Sequence, residues 1–277
     1  MSRRARLDAE LVRRHLAGSR QEALDLISAG RVLVNGAPAE KGSRQVDLGD
    51  NVLVSGEPPR FVSRGGEKLQ AALDHFEINV DGLLALDAGA STGGFTDCLL
   101  QSGIQHVLAV DVGHGQIHPR IRSDSRVTVV ERLNIRHFEY EKFFQEQAPH
   151  LTGADSGSES SNWRKTVSRN DGFDVVVADL SFISLTVVAT ALTAACRPEG
   201  HIVVLVKPQF EAGRREVSRG RGVITDPLVH EQACQTVADA FGAAGAAVQG
   251  LMTSPVIGGQ GNKEFLLHAV LRERLQI

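Results

Sequence analysis

Cysteine is scarce: three residues, Cys98, Cys196 and Cys234, are spread over 277 positions. No two form a metal-ligand pair and the spread gives no disulfide framework, so reduced, buried thiols in a cytoplasmic protein are expected. Long apolar runs are missing too; none approaches the roughly 20 residues of a membrane span. The basic start, Met1-Ser-Arg-Arg-Ala-Arg6, has no apolar stretch behind it, so no secretory signal is expected. Positive charge is not in excess either. The net charge is −3, unlike that of an overtly nucleic-acid-binding chain. The apolar share, 42%, suits a soluble chain with one good core and a small extra domain.

The charge is unevenly spread. Residues 1–64 carry eleven Arg and Lys against eight Asp and Glu, a net of +3, and the remainder has a net of −6. The N-terminal part is therefore the side suited to anions, although a solvated basic face has the same composition. Leu7, Leu11, Val12 and Leu16 recur at helical spacing. Ser19-Arg-Gln-Glu22 has the pattern of a capping box before a second helix, with Ala23, Leu24 and Ile27 on its apolar side. Gly30 is placed to end that helix. Arg31–Val34 reads as a strand, Asn35-Gly36 as a hairpin turn and Asp50–Val54 as a later strand.

This module, residues 1–56, resembles the α-L RNA-binding domain of a small-subunit ribosomal protein, pseudouridine synthases and tRNA synthetases. Gly30-Arg-Val-Leu-Val-Asn-Gly36 carries most of that resemblance. RNA contacts are expected from Arg4, Arg6, Arg13, Arg14, Arg20 and Arg31. Gly56-Glu-Pro-Pro59 then opens a stiff linker, 57–63, ahead of a second domain, 64–277.

In the second domain, strands are expected at 83–87, 106–111, 127–130, 173–178, 201–207, 247–253 and 264–271. Helices are expected at 65–75, 93–102, 139–147, 185–196 and 227–243, the last opened by Asp226-Pro227. The alternation predicts an α/β fold with a doubly wound, mostly parallel, Rossmann-like sheet of seven strands. Residues 151–170 break the pattern with small polar residues. They read as a mobile surface insertion, despite Trp163, and Arg164, Lys165 and Arg169 there suit either solvent or RNA.

The first strand ends in Asp87 and is followed by Ala88-Gly-Ala-Ser-Thr-Gly-Gly-Phe95. Strand, tight turn and helix form a nucleotide-type unit, in which glycines let backbone approach a ligand. The spacing is not the dinucleotide fingerprint and looks more like the loop of S-adenosylmethionine methyltransferases. Gly89, Ala90, Ser91, Thr92, Gly93, Gly94 and Phe95 are the candidate cofactor residues, with Asp87. A tight turn with no ligand is the competing reading. Asp111 ends the second strand, where an acid reaches ribose hydroxyls or else caps a helix. Asn134, after the third strand, is placed near an adenine.

The fourth strand ends in Asp179 and the fifth in Lys207. A lysine ending a buried strand needs a partner, and Asp179 on the neighbouring strand is the expected one. The pair reads either as catalytic or as a structural ion pair.

Phe61-Val-Ser-Arg-Gly-Gly-Glu-Lys68, the Asp87 loop, Val177-Ala-Asp-Leu-Ser-Phe182, Val206-Lys-Pro-Gln-Phe-Glu211 and Gly261-Asn-Lys-Glu264 together resemble the TlyA family of FtsJ-like ribose 2′-O-methyltransferases. The resemblance covers nearly the whole chain except 151–170. It implies S-adenosyl-L-methionine as cofactor, ribosomal RNA or ribosomal subunits as partner, cytidine as target, and a catalytic tetrad of Lys68, Asp179, Lys207 and Glu264. It implies no metal and no membrane, and the chain is expected to be a monomer. Lys207 would take the proton of the ribose hydroxyl, with the acids holding both lysines. Arg64 and the Gly/Arg-rich stretch 212–222, with Arg214, Arg215, Arg219 and Arg221, are candidate RNA contacts, or a solvated loop. A non-catalytic RNA-binding protein is the alternative. Direct membrane lysis, suggested by family members labelled haemolysins, does not fit a chain without a spanning segment.

Overall fold

Leu7 and Leu11, one helical turn apart, are both fully buried and begin the core of the N-terminal unit. In this computed structural model, which describes residues 4–14, 16–18, 20–56, 59–147, 162–169, 171–213, 220, 222–258 and 261–272, the chain divides into Met1–Ser63 and Arg64–Ile277. The first unit runs β1 (Ala5–Arg6), α1 (Leu7–Arg13), α2 (Arg20–Ser28), β2 (Val32–Val34), β3 (Ala37–Pro38), β4 (Gln45–Val46) and β5 (Val52–Val54). β2 pairs antiparallel with β3 and β5, and β1 pairs with β4. Ala23, Ile27, Val32, Val34, Val46 and Val52 complete the core.

Asn35 and Gly36 both have positive φ, 53° and 82°. That is the twist a two-residue hairpin turn requires. The Asn35 side chain also donates to Asp50 and accepts from the Asn51 N–H, which ties the turn to β5. Ser19, the expected cap of α2, lies outside the described residues. Glu22 reaches back to accept from the Gly18 N–H at 2.6 Å. Phe61 and Val62, in the expected linker, are buried, and the two units divide after Ser63.

The second unit contains α3 (Gly65–His75), β6 (Leu84–Ala88), α4 (Gly94–Gln101), β7 (His106–Asp111), α5 (Pro119–Arg122), β8 (Val127–Glu131), α6 (Tyr140–Lys142), α7 (Asn162–Arg169), β9 (Phe173–Ala178), α8 (Leu185–Ala195), β10 (Cys196–Val206), α9 (Pro208–Glu211), α10 (Pro227–Ala243), β11 (Ala246–Thr253) and β12 (Phe265–Leu271). α6 runs into a π-helical turn, Phe143–Gln147. The seven strands are ordered β11-β12-β10-β9-β6-β7-β8. β10, β9, β6, β7 and β8 are parallel, and β12 runs antiparallel to both its neighbours. Every residue of β6 and β9 is buried, as expected of strands covered on both faces.

The chain winds outward from β6 through β7 to β8, then returns to lay β9 on the other side of β6. Ligands of such sheets bind where the winding reverses, beyond the carboxyl ends of the strands. Here that place is between β6 and β9.

The reading of 151–170 as one mobile insertion is corrected. Residues 162–169 form α7, and Trp163 and Val167, four apart, are buried in the main core. Trp163 stacks on His106 with ring centroids 4.4 Å apart. Residues 151–161 and 170 lie outside the described residues.

Candidate active site

The register of the sheet gathers the polar strand ends. Val206 of β10 faces Phe265 of β12, which places Lys207 beside Glu264. β9 flanks β10 on the other side and ends one residue before Asp179. Lys207 Nζ lies 2.6 Å from Asp179 Oδ1 and donates to Ser181 Oγ at 2.9 Å. Lys68, on α3, reaches Glu264 Oε2 at 2.5 Å. The four residues thus form two ion pairs, and both lysines and Glu264 are buried. Buried charges persist only when paired, so each acid gives its lysine a reason to stay. Gly258 has no room for a β-carbon, because the Glu264 carboxylate packs against it.

The glycine loop abuts the same pair. The Asp179 N–H donates to the Ala88 carbonyl at 3.1 Å, and Gly89 lies against the Asp179 carbonyl. Gly89 and Gly93 have φ of +85° and +94°, which side-chain-bearing residues rarely adopt. Ala90 and Phe95 are buried; Gly93 caps α4, and Gly94 begins it. Ser91 also sits at positive φ and donates its N–H to Asp111 Oδ2 at 2.8 Å, while the Gly113 N–H donates to Asp111 Oδ1 at 2.6 Å. The Thr92 carbonyl accepts from the His118 N–H. Asn134 is exposed and caps the short turn 135–137 by accepting from the Arg136 N–H.

Asp87 is fully buried. Its Oδ2 accepts from Thr96 Oγ1 at 2.6 Å, and its Oδ1 has no hydrogen-bond partner among the described residues. Burial pushes its carboxyl up to about 7, against the pull of the Thr96 hydrogen bond. A buried carboxylate with a free oxygen suits a ligand that brings a positive charge. S-adenosyl-L-methionine carries an ammonium and a sulfonium, so the residues present fit it.

Several partners went unseen in the sequence. Ser181 and Thr96 are ordinary hydroxyl residues until the fold places them on Lys207 and Asp87. Phe182 adopts φ 65° and is 92% exposed, with its ring 5.3 Å from that of Phe210. A residue with a side chain persists in that backbone conformation only where its surroundings over-determine it. The sequence signal for Phe182 was the polar strand end three residues before.

The candidate arginines divide. In the N-terminal unit, Arg6 and Arg20 pair with buried Asp8, Arg13 and Arg14 with buried Glu10, and exposed Arg4 with Asp47. Arg6 and Arg13 hold Asp8 and Glu10 down at about 2. Arg14 also donates to the carbonyls of Asp47, Leu48 and Asp50, and Arg31 to that of Ser55. Arg14 therefore staples the loop before β5, whereas Arg4, Arg6, Arg13 and Arg20 keep guanidinium surface in solvent. Arg64 is exposed at the start of α3. Arg214, Arg215, Arg219 and Arg221 lie outside the described residues. The segment after them is anchored: Ile224 donates its N–H to buried Asn262 Oδ1 and its carbonyl contacts His230 Nε2 at 2.9 Å.

A doubly wound sheet with one antiparallel strand beside its edge, and a glycine loop touching the Asp179 partner of a buried lysine, define an enzyme that acts with a nucleoside cofactor, a methyltransferase. The chain belongs to the FtsJ-like methyltransferase family, whose model matches residues 61–270, and it carries an S4 domain at residues 5–52. Its cofactor is S-adenosyl-L-methionine. It is 43% identical over 268 residues to the 16S/23S rRNA (cytidine-2′-O)-methyltransferase TlyA of Mycobacterium tuberculosis, covering 96% of this chain and 90% of that protein. Hemolysin A of Brachyspira hyodysenteriae is 35% identical, over 96% of this chain and 100% of its own length. The structure of a protein described as a hemolysin from Streptococcus thermophilus matches with a TM-score of 0.71 at 35% identity, over 99% of this chain and 90% of that one.

Proposed function

We propose that the chain methylates the 2′-hydroxyl of a cytidine ribose in ribosomal RNA, with Lys207 as the proton acceptor. The observation that carries this reading is the Lys207–Asp179 pair lodged against the glycine loop. The 43% identity to an enzyme named for that reaction supports it.

The bound cofactor supplies a methyl group on a cationic sulfur. The chain must hold the ribose hydroxyl in line with that methyl and remove the proton. Lys207 sits on a buried strand end and is steadied by Asp179 and Ser181, so its Nζ has a defined position. Its neutral form takes the hydroxyl proton. Lys68, fixed by Glu264 across 196 residues of sequence, helps orient the same hydroxyl. Asp87, Gly89–Phe95 and Asp111 hold the cofactor, and the exposed Phe182 ring offers a stacking surface for a base turned out of the RNA helix. The S4 unit and its solvent-facing arginines bring the RNA backbone to the enzyme, in the cytoplasm where ribosomes are.

Among the described residues no helix is long and apolar enough to cross a membrane, which gives no support to direct lysis. The deciding experiment is transfer of tritiated methyl from S-adenosyl-L-methionine to purified small and large ribosomal subunits separately, with mapping of the modified ribose. Label on base nitrogen or carbon, or none on either subunit, would overturn the reading.

A further inference from the structure

The loop after β9 and the turn after β10 are joined at three levels. Asp179 and Ser181 meet Lys207. One step outward, the Phe182 ring meets Phe210. At the far end, Glu211 Oε2 accepts from Ser184 Oγ at 2.6 Å and Glu211 Oε1 from the Leu185 N–H at 2.9 Å. Ser184 is the N-cap of α8, and it also accepts from the Thr186 N–H. Glu211 therefore closes the segment 179–185 against 207–211 and holds it to the start of an eleven-residue helix.

β9 ends at Ala178 and β10 at Val206; past them the Asp179 N–H still donates to the Ala88 carbonyl, and the pair itself is made by side chains. Phe182 is held in the left-handed region, a conformation that persists only where its surroundings over-determine it. The Lys207–Asp179 pair fixes the segment on one side of Phe182, and the Glu211 contacts fix it on the other. The Glu211 carboxylate is half-buried and raised by that burial, yet it keeps both hydrogen bonds. A half-buried acid at the end of one short helix, aimed at the N-terminus of another, has a joining role that surface acids lack.

We propose that Glu211 is a positioning residue: by clasping Ser184 and the α8 N-terminus, it sets the geometry of the Lys207–Asp179 pair and of the Phe182 ring. This rests on the reading of Lys207 as the reacting base. Glu211 spends its two carboxylate oxygens on Ser184 and Leu185 rather than on the pair. Loss of the clasp lowers the rate through misalignment and leaves cofactor binding alone.

The test compares Glu211→Ala, Glu211→Gln, Ser184→Ala and Lys207→Met in the full chain. Single-turnover methyl transfer to ribosomal subunits and S-adenosyl-L-methionine affinity are measured for each. A fluorinated phenylalanine at 182 gives a ¹⁹F signal in the same set. Glu211→Ala is expected to slow transfer between about 10- and 100-fold, the scale of a small misplacement at a reacting centre. Cofactor affinity should stay within about twofold, and the ¹⁹F line should shift or split. Glu211→Gln keeps an acceptor for Leu185 and a polar contact to Ser184, and should recover most of the rate. Ser184→Ala removes one contact without emptying the clasp and should fall between; it decides the matter if Glu211→Ala does not fold. An unchanged rate in a folded Glu211→Ala, with Lys207→Met severely slowed, overturns the clasp and leaves the base in place. A normal rate in Lys207→Met overturns the base instead. The clasp is then judged by the ¹⁹F signal: an unmoved single line in Glu211→Ala overturns it, and a moved one upholds it.

Discussion

Gly89 lies so close to Asp179 that a β-carbon added to it would stand 2.7 Å from the Asp179 carbonyl oxygen and 2.8 Å from the Leu180 side chain. The glycine loop and the strand end that carries Asp179 are thus packed backbone to backbone. Bulk at position 89 strikes the protein before it strikes a ligand, and the φ of +85° adds strain of about 1–3 kcal/mol for any residue with a side chain. Gly89→Val should therefore weaken S-adenosyl-L-methionine binding at least tenfold and slow methyl transfer as well. Calorimetry on a folded Gly89→Val variant with unchanged affinity would refute this.

With Asp87 as the proposed partner of the cofactor's charge, binding should depend on pH. The folded Asp87 carboxyl sits near 7, raised from 3.8 by burial. The folded chain thus holds this proton more tightly than the unfolded one between those values, so the ionised carboxylate destabilises the free enzyme as pH rises through 7. A ligand with positive charge pairs with the ionised form. Affinity for S-adenosyl-L-methionine should therefore rise with pH through 7 and level above it, falling by up to about tenfold between pH 8 and 6. Asp87→Asn should bind more weakly and show no such slope. A wild-type affinity that is flat from pH 6 to 8 would rule out contact between Asp87 and the ligand's charge.

What the sequence made legible follows from where buried runs stop. Asp87, Asp111, Asp179 and Lys207 each end a run of apolar residues, and a polar residue there has few bland roles. The seven strands and the long helices lie within a few residues of their expected bounds, since alternation of covered strands and amphipathic helices leaves little freedom. β10 is the largest departure. It starts at Cys196 rather than 201, through an irregular stretch that no periodicity announces. Lys68 reads as a solvent-facing helix residue, and only the tertiary fold buries it against Glu264. α7 was hidden because its sequence is mostly polar, and Trp163 and Val167 are too few to outweigh it. The acids that pair with the N-terminal arginines were visible but ambiguous, because Asp8 and Glu10 become buried only when α1 packs.

His106 makes a stability prediction with the opposite sign to Asp87. Burial, with Arg164 nearby, pulls its imidazole down to about 3 from 6.5. The unfolded chain takes up that proton as pH falls through 6.5 and the folded chain does not, so stability is lost between about 6.5 and 3. His106→Phe retains a ring against Trp163 but loses the hydrogen bond to Thr128. It should be less stable than wild type at pH 7, and the gap should narrow by up to about 3 kcal/mol by pH 4. Denaturant melts across that range check it, and parallel curves would refute it.

The N-terminal unit has its own core, built from Leu7, Leu11, Ile27, Val32 and Val52. A chain beginning at Arg64 should therefore fold and bind S-adenosyl-L-methionine with near-normal affinity. It should modify ribosomal subunits at least tenfold more slowly at low subunit concentration, because the arginines that face solvent on the S4 unit are gone. Raising the salt should slow the full-length enzyme more than the truncated one. Equal rates and equal salt dependence for both would remove the S4 unit from RNA capture.

Lys207 carries the chemistry in this account, and its removal separates catalysis from binding. Lys207→Ala should slow single-turnover methyl transfer by roughly 100-fold or more, the scale of a positioned general base. Cofactor affinity should change little, because Lys207 contacts Asp179 and Ser181 rather than the glycine loop. Asp179 then loses its partner at the strand end, and a modest fall in melting temperature should follow. Higher pH should not restore the rate, since alignment is lost together with the proton acceptor. Lys68→Ala should behave differently. It leaves Glu264 buried without its cation at the neighbouring strand end, so a larger loss of stability should accompany its loss of rate. If Lys207→Ala methylated ribosomal subunits at near-normal single-turnover rates, the Lys207–Asp179 contact would be a structural ion pair, and the base would have to be sought elsewhere in the site.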